Sequence, residues 1–299
     1  MRFAFITALL WLYGLASSFA AAEGVYEGAH HALPLDAQKL HNTLPITNSI
    51  VMVWVAALVI LLFCRAATGK MSLVPTGFQN FAEWAVESLY LFLENLMGPH
   101  LTKRTFWFFG SIFFFILVSN YLGLFPGVGT VGWDLISDGH KVGFLPWFRG
   151  ANADINMTAA MASTFALLWI YWAVTENGFS GVGKHIFAPK GTFSGPMLAM
   201  MIPIFIFVGL LEVISIAIRP VALSFRLFGN IYGGEQTMEK LMDLVPKWLQ
   251  YFLSWIPALP FYFMELLVGF VQALVFTLLC AIFLKLICDH GDHGDEAHH

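Results

Sequence analysis

Residues 196–232 read PMLAMMIPIFIFVGLLEVISIAIRPVALSFRLFGNIY, and this stretch decides the fold. It is apolar almost throughout, yet it carries Glu212, Arg219 and Arg226 at regular intervals. The seven-residue spacing turns an α-helix through about 700°, close to two whole turns, so the three share one face. Asn230 lies one turn beyond Arg226 on roughly the same side. As a single helix, Gly195 to Tyr232 would be about 57 Å long at a rise of about 1.5 Å per residue. The apolar core of a bilayer is about 30 Å thick. Such a helix must tilt steeply or kink, and Pro203 and Pro220 offer kinks because each lacks a backbone donor. The last apolar stretch, residues 248–287, repeats the pattern. Pro257 and Pro260 stand near its start, and Glu265, Gly269 and Gln272 form one stripe. Two adjacent overlong helices with polar stripes predict an oblique hairpin.

Composition agrees with a lipid solvent. The 299 residues are 58% hydrophobic and only 11% charged, whereas a soluble domain carries about a quarter charged residues. Aromatics reach 16%, with 30 phenylalanines, which suits a lipid-facing surface with interfacial anchors. The net charge of -4 excludes the basic surface that nucleic acid requires. Cys64, Cys280 and Cys288 sit in or beside apolar runs without metal-ligand spacing and read as small core residues.

Outward from that stretch, the chain reads as an all-α polytopic membrane protein. Residues 1–22 resemble a secretory signal: Arg2, an apolar run from Phe3 to Leu15, and Ala20-Ala21-Ala22 at an A-x-A site. Residues 23–44 form a polar external segment. A first span is expected from Ile46 to Cys64, followed by Arg65 and Lys70. Residues 76–97 differ: Phe78, Phe81, Ala85, Leu89, Phe92 and Leu96 recur at helical spacing, with Glu83, Glu87 and Glu94 mostly opposite. That pattern predicts an amphipathic helix lying on the membrane surface. A second span is expected over Phe106–Phe125, after Lys103 and Arg104. An external loop over 126–154 and a third span over Ile155–Thr175 follow. Lys184, His185 and Lys190 are placed in the next loop. The membrane domain thus covers residues 45–288, with a polar tail over 289–299. Alternating the spans puts seven basic residues on the proposed cytoplasmic side and five outside, a small positive-inside bias. The mature N-terminus is then external and the C-terminus cytoplasmic.

Charged side chains at membrane depth cost at least about 2.5–3.5 kcal/mol on insertion scales. Facing stripes of them should line an aqueous path or a protein interface. The competing reading is a set of buried salt bridges, Glu212 with Arg219 or Arg226 with Glu265. Asp154, opening the third span, reads as an N-cap, with an outer vestibule role as the alternative. The glycines at 123, 127, 129 and 132 are followed by no P-loop pattern, and no cofactor or metal is implied. The tail, with His290, Asp292, His293, Asp295, Glu296, His298 and His299, reads as solvated, with metal binding as the alternative.

The block Arg219-Pro220, Ser224-Phe225-Arg226-Leu227-Phe228-Gly229-Asn230 and Gly233-Gly234-Glu235 closely resembles the signature of the F-type ATP synthase a subunit. Gln272-Ala273 resembles that family's second signature. Leu211-Glu212 stands where the family has an upstream acidic residue. Pro75-Thr76-Gly77 and Ala153-Asp154-Ile155-Asn156 also resemble family segments, so the likeness spans residues 45–288. The resemblance implies five membrane helices plus a surface helix, the last two lying obliquely against a rotating ring of c subunits. It further implies peripheral-stalk b subunits and other ATP synthase subunits as partners, and a bacterial inner membrane as the location. Arg226 would face the ring carboxylates. Asn230, Glu235, Glu265 and Gln272 would line the path from outside, and Glu212 would lie near the cytoplasmic exit, with Arg219 and Asp154 as secondary candidates. The family often has histidine where this chain has Glu265. Two nearby carboxylates repel, so Glu235 and Glu265 are expected to share a proton. The alternative function is a secondary ion transporter with a midplane site between broken helices. Transporters often show internal repeats, and the Arg226 block has no second copy here.

Overall fold

The computed structural model describes residues 46–69, 71–75, 77–125, 128–129, 131–137, 140–187, 196–244, 246 and 255–288. The signal-like segment, the external N-terminal segment and the polar tail lie outside the described residues. Six helices and one β-hairpin are present among those described: α1 (Asn48–Thr68), α2 (Phe78–Met97), α3 (Pro99–Gly123), β1 (Gly132–Ser137), β2 (His140–Pro146), α4 (Ile155–Phe187), α5 (Pro196–Asp243) and α6 (Trp255–Cys288). Five of the helices, all but α2, are long and apolar enough to cross a bilayer.

Local chemistry sets several boundaries. Thr47 caps α1 through its hydroxyl, which accepts from the Ile50 amide, and Arg65 closes the last turn against the helix dipole. Helix α2 buries Leu89, Leu93 and Met97 and leaves Glu83 and Glu87 exposed. That is the expected surface helix. Only Gly98 separates α2 from α3, so the second span starts earlier than the charge pattern implied. Pro99 opens α3 because a first-turn residue needs no amide donor. Lys103 and Arg104 are therefore helical, in the second turn, and Arg104 pairs with Glu176 of α4 and donates to Thr175.

Helix α4 also outruns its expected span. It continues from Ile155 to Phe187 through a kink at Gly178, whose φ of 68° only glycine adopts at little cost. Lys184 and His185, expected in a loop, are thus on the helix. Helix α5 has 48 residues, reaching to Asp243, with Pro203 and Pro220 inside it. At about 1.5 Å per residue it is about 72 Å long, more than twice the apolar thickness of a bilayer. Helix α6 has 34 residues, and the expected start at 248 lies outside the described residues. Neither helix can stand upright within the bilayer.

The loop over 126–154 contains an antiparallel hairpin that the sequence reading left undivided. Gly132 pairs with Pro146 and Trp133 with Leu145. The ladder continues past β2, because the Trp147 amide donates to Val131 and the Gly129 amide to Phe148. A single 3-10 turn, Ala151–Ala153, then leads into α4.

Helix α3 sits at the centre. It packs on α1, α2 and α6, while α5 packs on α4 and α6. Phe108, Phe109, Ile112 and Ile116 of α3 meet Met161 and Phe165 of α4 and Phe276 and Leu284 of α6 in one buried cluster. The Trp169 indole of α4 donates to the Phe283 carbonyl of α6 at 2.9 Å. Outside that core, large apolar side chains such as Leu58, Leu62, Leu167, Phe207 and Leu267 are exposed. In lipid such a surface is the solvated one.

Candidate functional site: a polar path between two helices

Helix α5 has two faces. Leu223, Ser224, Leu227 and Phe228 are buried against α4 and α6. Phe225, Arg226, Gly229 and Asn230 are exposed. Arg219 and Arg226 line one open groove of about 450 Å³, walled by Ser215, Ala222, Leu279 and Phe283 among others. Shared lining confirms the seven-residue spacing of these two arginines. Glu212 is half-buried one stripe position further along α5 and does not line the groove.

Neither salt-bridge alternative forms between the expected partners. Arg219 places its guanidinium 4.8 Å over the Phe283 ring. Arg226 has no hydrogen bond or ion pair among the described residues. Glu265 is buried, 4% exposed, on the side of α6 that faces the bundle. Its carboxylate lies against Gly234, where an added Cβ would stand only 2.3–2.6 Å from the carboxylate atoms. Any side chain at 234 would push Glu265 out of its place.

The other expected residues cluster around that contact. Glu235 and Glu265 line one small cavity of about 20 Å³, together with Asn120, Gly150, Ile231, Met238 and Gly269. Glu235 is inside α5, directly after the Gly233-Gly234 pair. Asn230 donates to the Gln272 side chain at 2.7 Å, a polar link between the two stripes. Thr158 and Ser224 share a hydrogen bond of 3.1 Å between α4 and α5. Asp154 is buried and accepts from the Ser49 hydroxyl and the Asn156 amide, each at 3.0 Å, as an N-cap does.

The sequence model of the family described as ATP synthase A chain matches residues 50–285. The chain belongs to the ATP synthase A chain family. ATP synthase subunit a of Chloroherpeton thalassium is 31% identical over 261 residues, 85% of this chain and 69% of that protein. ATP synthase subunit a of Aliarcobacter butzleri is 31% identical over 238 residues, 79% of this chain and 87% of that one. The subunit a of Gloeobacter violaceus is 30% identical over 267 residues, 89% of this chain and 92% of that one. As a member of the ATP synthase A chain family, this multi-pass protein is an ion-translocating subunit of the membrane sector.

Three residues of the site were not singled out in the sequence. By sequence, Arg149 is only one of the five basic residues placed outside by the alternating spans. It is 2% exposed, with its Nε 3.9 Å from Glu235 Oε2 and its guanidinium 5.9 Å from the Tyr232 ring centre. Asn120 donates to the Gly269 carbonyl at 2.9 Å and accepts from Asn152 at 2.6 Å. A signal existed for Asn120, an amide inside an otherwise apolar span. Arg149 and Asn152 offered only a cation and an amide amid buried-type neighbours, Trp147-Phe148 and Ala151-Ala153.

Proposed function

We propose that this chain conducts protons as the stator subunit of an F-type ATP synthase, through two offset half-paths against a c-subunit ring. The exposure of Arg226 carries the reading. A charge on an apolar helix face, with no ion partner among the described residues, calls for a partner carboxylate from another chain. A proton enters from outside by way of Glu235, Glu265 and Gln272 and neutralises a ring carboxylate, which can then face lipid. After nearly a full rotation the site arrives beside the inner path near Glu212. Arg226 stands between the paths. Its positive charge favours the ionised carboxylate, so the arriving site gives up its proton. A guanidinium does not readily deprotonate and therefore blocks a direct leak. Phosphate chemistry belongs to other subunits. The b subunits of the peripheral stalk hold this chain still, in a bacterial inner membrane with the N-terminus external and the C-terminus cytoplasmic.

Ala222, one turn before Arg226 and exposed in the same groove, provides the test. Under oxidation, Ala222→Cys should cross-link to cysteines placed around the ring carboxylate of the c subunit. Absence of any cross-link in an assembled, ATP-hydrolysing complex would remove the ring from this face.

A further inference from the structure

The hairpin and the carboxylate cavity are joined by one residue. Past the end of strand β2, Trp147 and Phe148 stay on the hairpin ladder and lead directly into Arg149. The chain then dives between helices. Gly150 packs beside Gly123 and Glu235: a Cβ built at 150 would make ordinary contact, 3.7 Å from the Gly123 Cα and 4.0 Å from Glu235 Oε1. Ala151, Asn152 and Ala153 follow, all buried. Small residues and a tight turn thus seat the end of an external hairpin inside the membrane domain. The hairpin itself is tied down where the Asn48 amide of α1 donates to the Pro146 carbonyl at 3.3 Å.

What the hairpin delivers is a cation. A buried guanidinium is costly unless a carboxylate is near, and Glu235 is within reach of its Nε. Arg149 approaches Glu235, which lines the cavity wall together with Gly150, while Glu265 reaches the same cavity from α6. The cavity's volume of about 20 Å³ admits one water. One Glu265 oxygen, Oε1, is buried without a hydrogen bond among the described residues.

We propose that Arg149 is a positioning residue of the outer half-path. It holds Glu235 at the cavity so that Glu235 and Glu265 pass a proton across a single-water gap. The hairpin is the scaffold that fixes this distance. The inference rests on the reading of Glu235 and Glu265 as the outer path. It adds that their spacing is set from outside the two path helices, by a residue that itself carries no proton. Proton transfer across such a gap is sensitive to distance, and a misplacement of about 1 Å costs about a hundredfold.

The test is a double-mutant cycle in the intact ATP synthase, read as ATP-driven proton uptake into inverted vesicles. Rates are divided by the amount of this chain that co-purifies with the complex, which separates pumping from assembly. Arg149→Gln should slow pumping about tenfold or more, and Arg149→Lys, which keeps the charge, should recover most of the rate. Glu235→Gln should itself slow pumping. Adding Arg149→Gln to Glu235→Gln should change that rate by less than about twofold, because the positioned group is already gone. The double variant also lacks the unpaired buried carboxylate, so it should assemble at least as well as Arg149→Gln alone. Full pumping by Arg149→Gln, no recovery with lysine, or losses that multiply in the double variant would each overturn the role of Arg149. Full pumping by Glu235→Gln would instead overturn the outer path.

Discussion

Arg226 and Arg149 are both arginines within a membrane domain, yet the fold treats them in opposite ways. Arg226 projects from an apolar face of α5, beside Gly229, where an added Cβ would meet nothing within 4 Å. Arg149 is enclosed, close to a carboxylate of its own chain and below the face of Tyr232. An enclosed cation near an internal acid serves the chain's own architecture. A cation left open at membrane depth is costly unless something outside the chain offsets it. On the proposed function, the contrast separates the residue that meets the ring from those that hand it the proton.

The largest expected effect lies on the open side. Arg226→Ala should reduce ATP-driven acidification of inverted vesicles to background while the complex still assembles. Arg226→Lys should fail largely as well, since an ammonium lacks the planar, permanently charged fork. Normal pumping by either variant would erase the distinction between the two arginines.

On the enclosed side, Glu265→Leu should slow pumping about tenfold or more, because a relay carboxyl is lost. Glu265→His keeps a proton carrier beside Glu235 and should retain transport. A wild-type rate in Glu265→Leu, measured across a pH series, would show that this carboxylate is only structural. The path would then run through Gln272 and Asn230.

Gly234→Ala sharpens the same comparison at lower amplitude. The added methyl would stand 2.3–2.6 Å from the Glu265 carboxylate atoms, so either the carboxylate or α5 must shift. Overpacking of this kind costs about 1–3 kcal/mol. The solubilised complex should therefore lose this chain at a lower temperature, and pumping should drop several-fold. Glycine at 229 has open space above it, and Gly229→Ala should leave stability nearly unchanged.

Asp154→Ala should have the smallest effect. Loss of a helix N-cap costs about 1 kcal/mol, visible as reduced heat stability of the complex. The pumping rate per assembled complex should stay the same. A selective loss of pumping would move Asp154 from capping to the outer vestibule.

The residues legible in the sequence were those whose signal is periodic. Arg219 and Arg226 fall in one groove because seven residues nearly complete two turns, and no tertiary knowledge is needed for that. The amphipathic α2 and the five apolar spans follow from the same regularity. Helix ends were harder. The charges Lys103 and Arg104 looked like a boundary, but Pro99 opened the helix earlier and Glu176 took up Arg104. Arg149 was illegible for a different reason. Its meaning depends on Glu235, far along the chain, and on a hairpin whose register no local pattern announced. The Glu235–Glu265 cavity likewise depends on Gly234, whose small size matters only once α6 lies against it.

Helix α5 bears on more than proton traffic. On the proposed function, a rotor sliding past Arg226 would drag on the helix that carries it. Two cross-braces flank that point: Ser224 to Thr158 of α4, and Asn230 to Gln272 of α6. They lie on either side of the loaded residue and lead into different helices, so sideways thrust is shared between two supports. Removing one brace leaves the bearing free to yield under load. The failure that follows is slippage, with ATP consumed at full speed and little work delivered across the membrane.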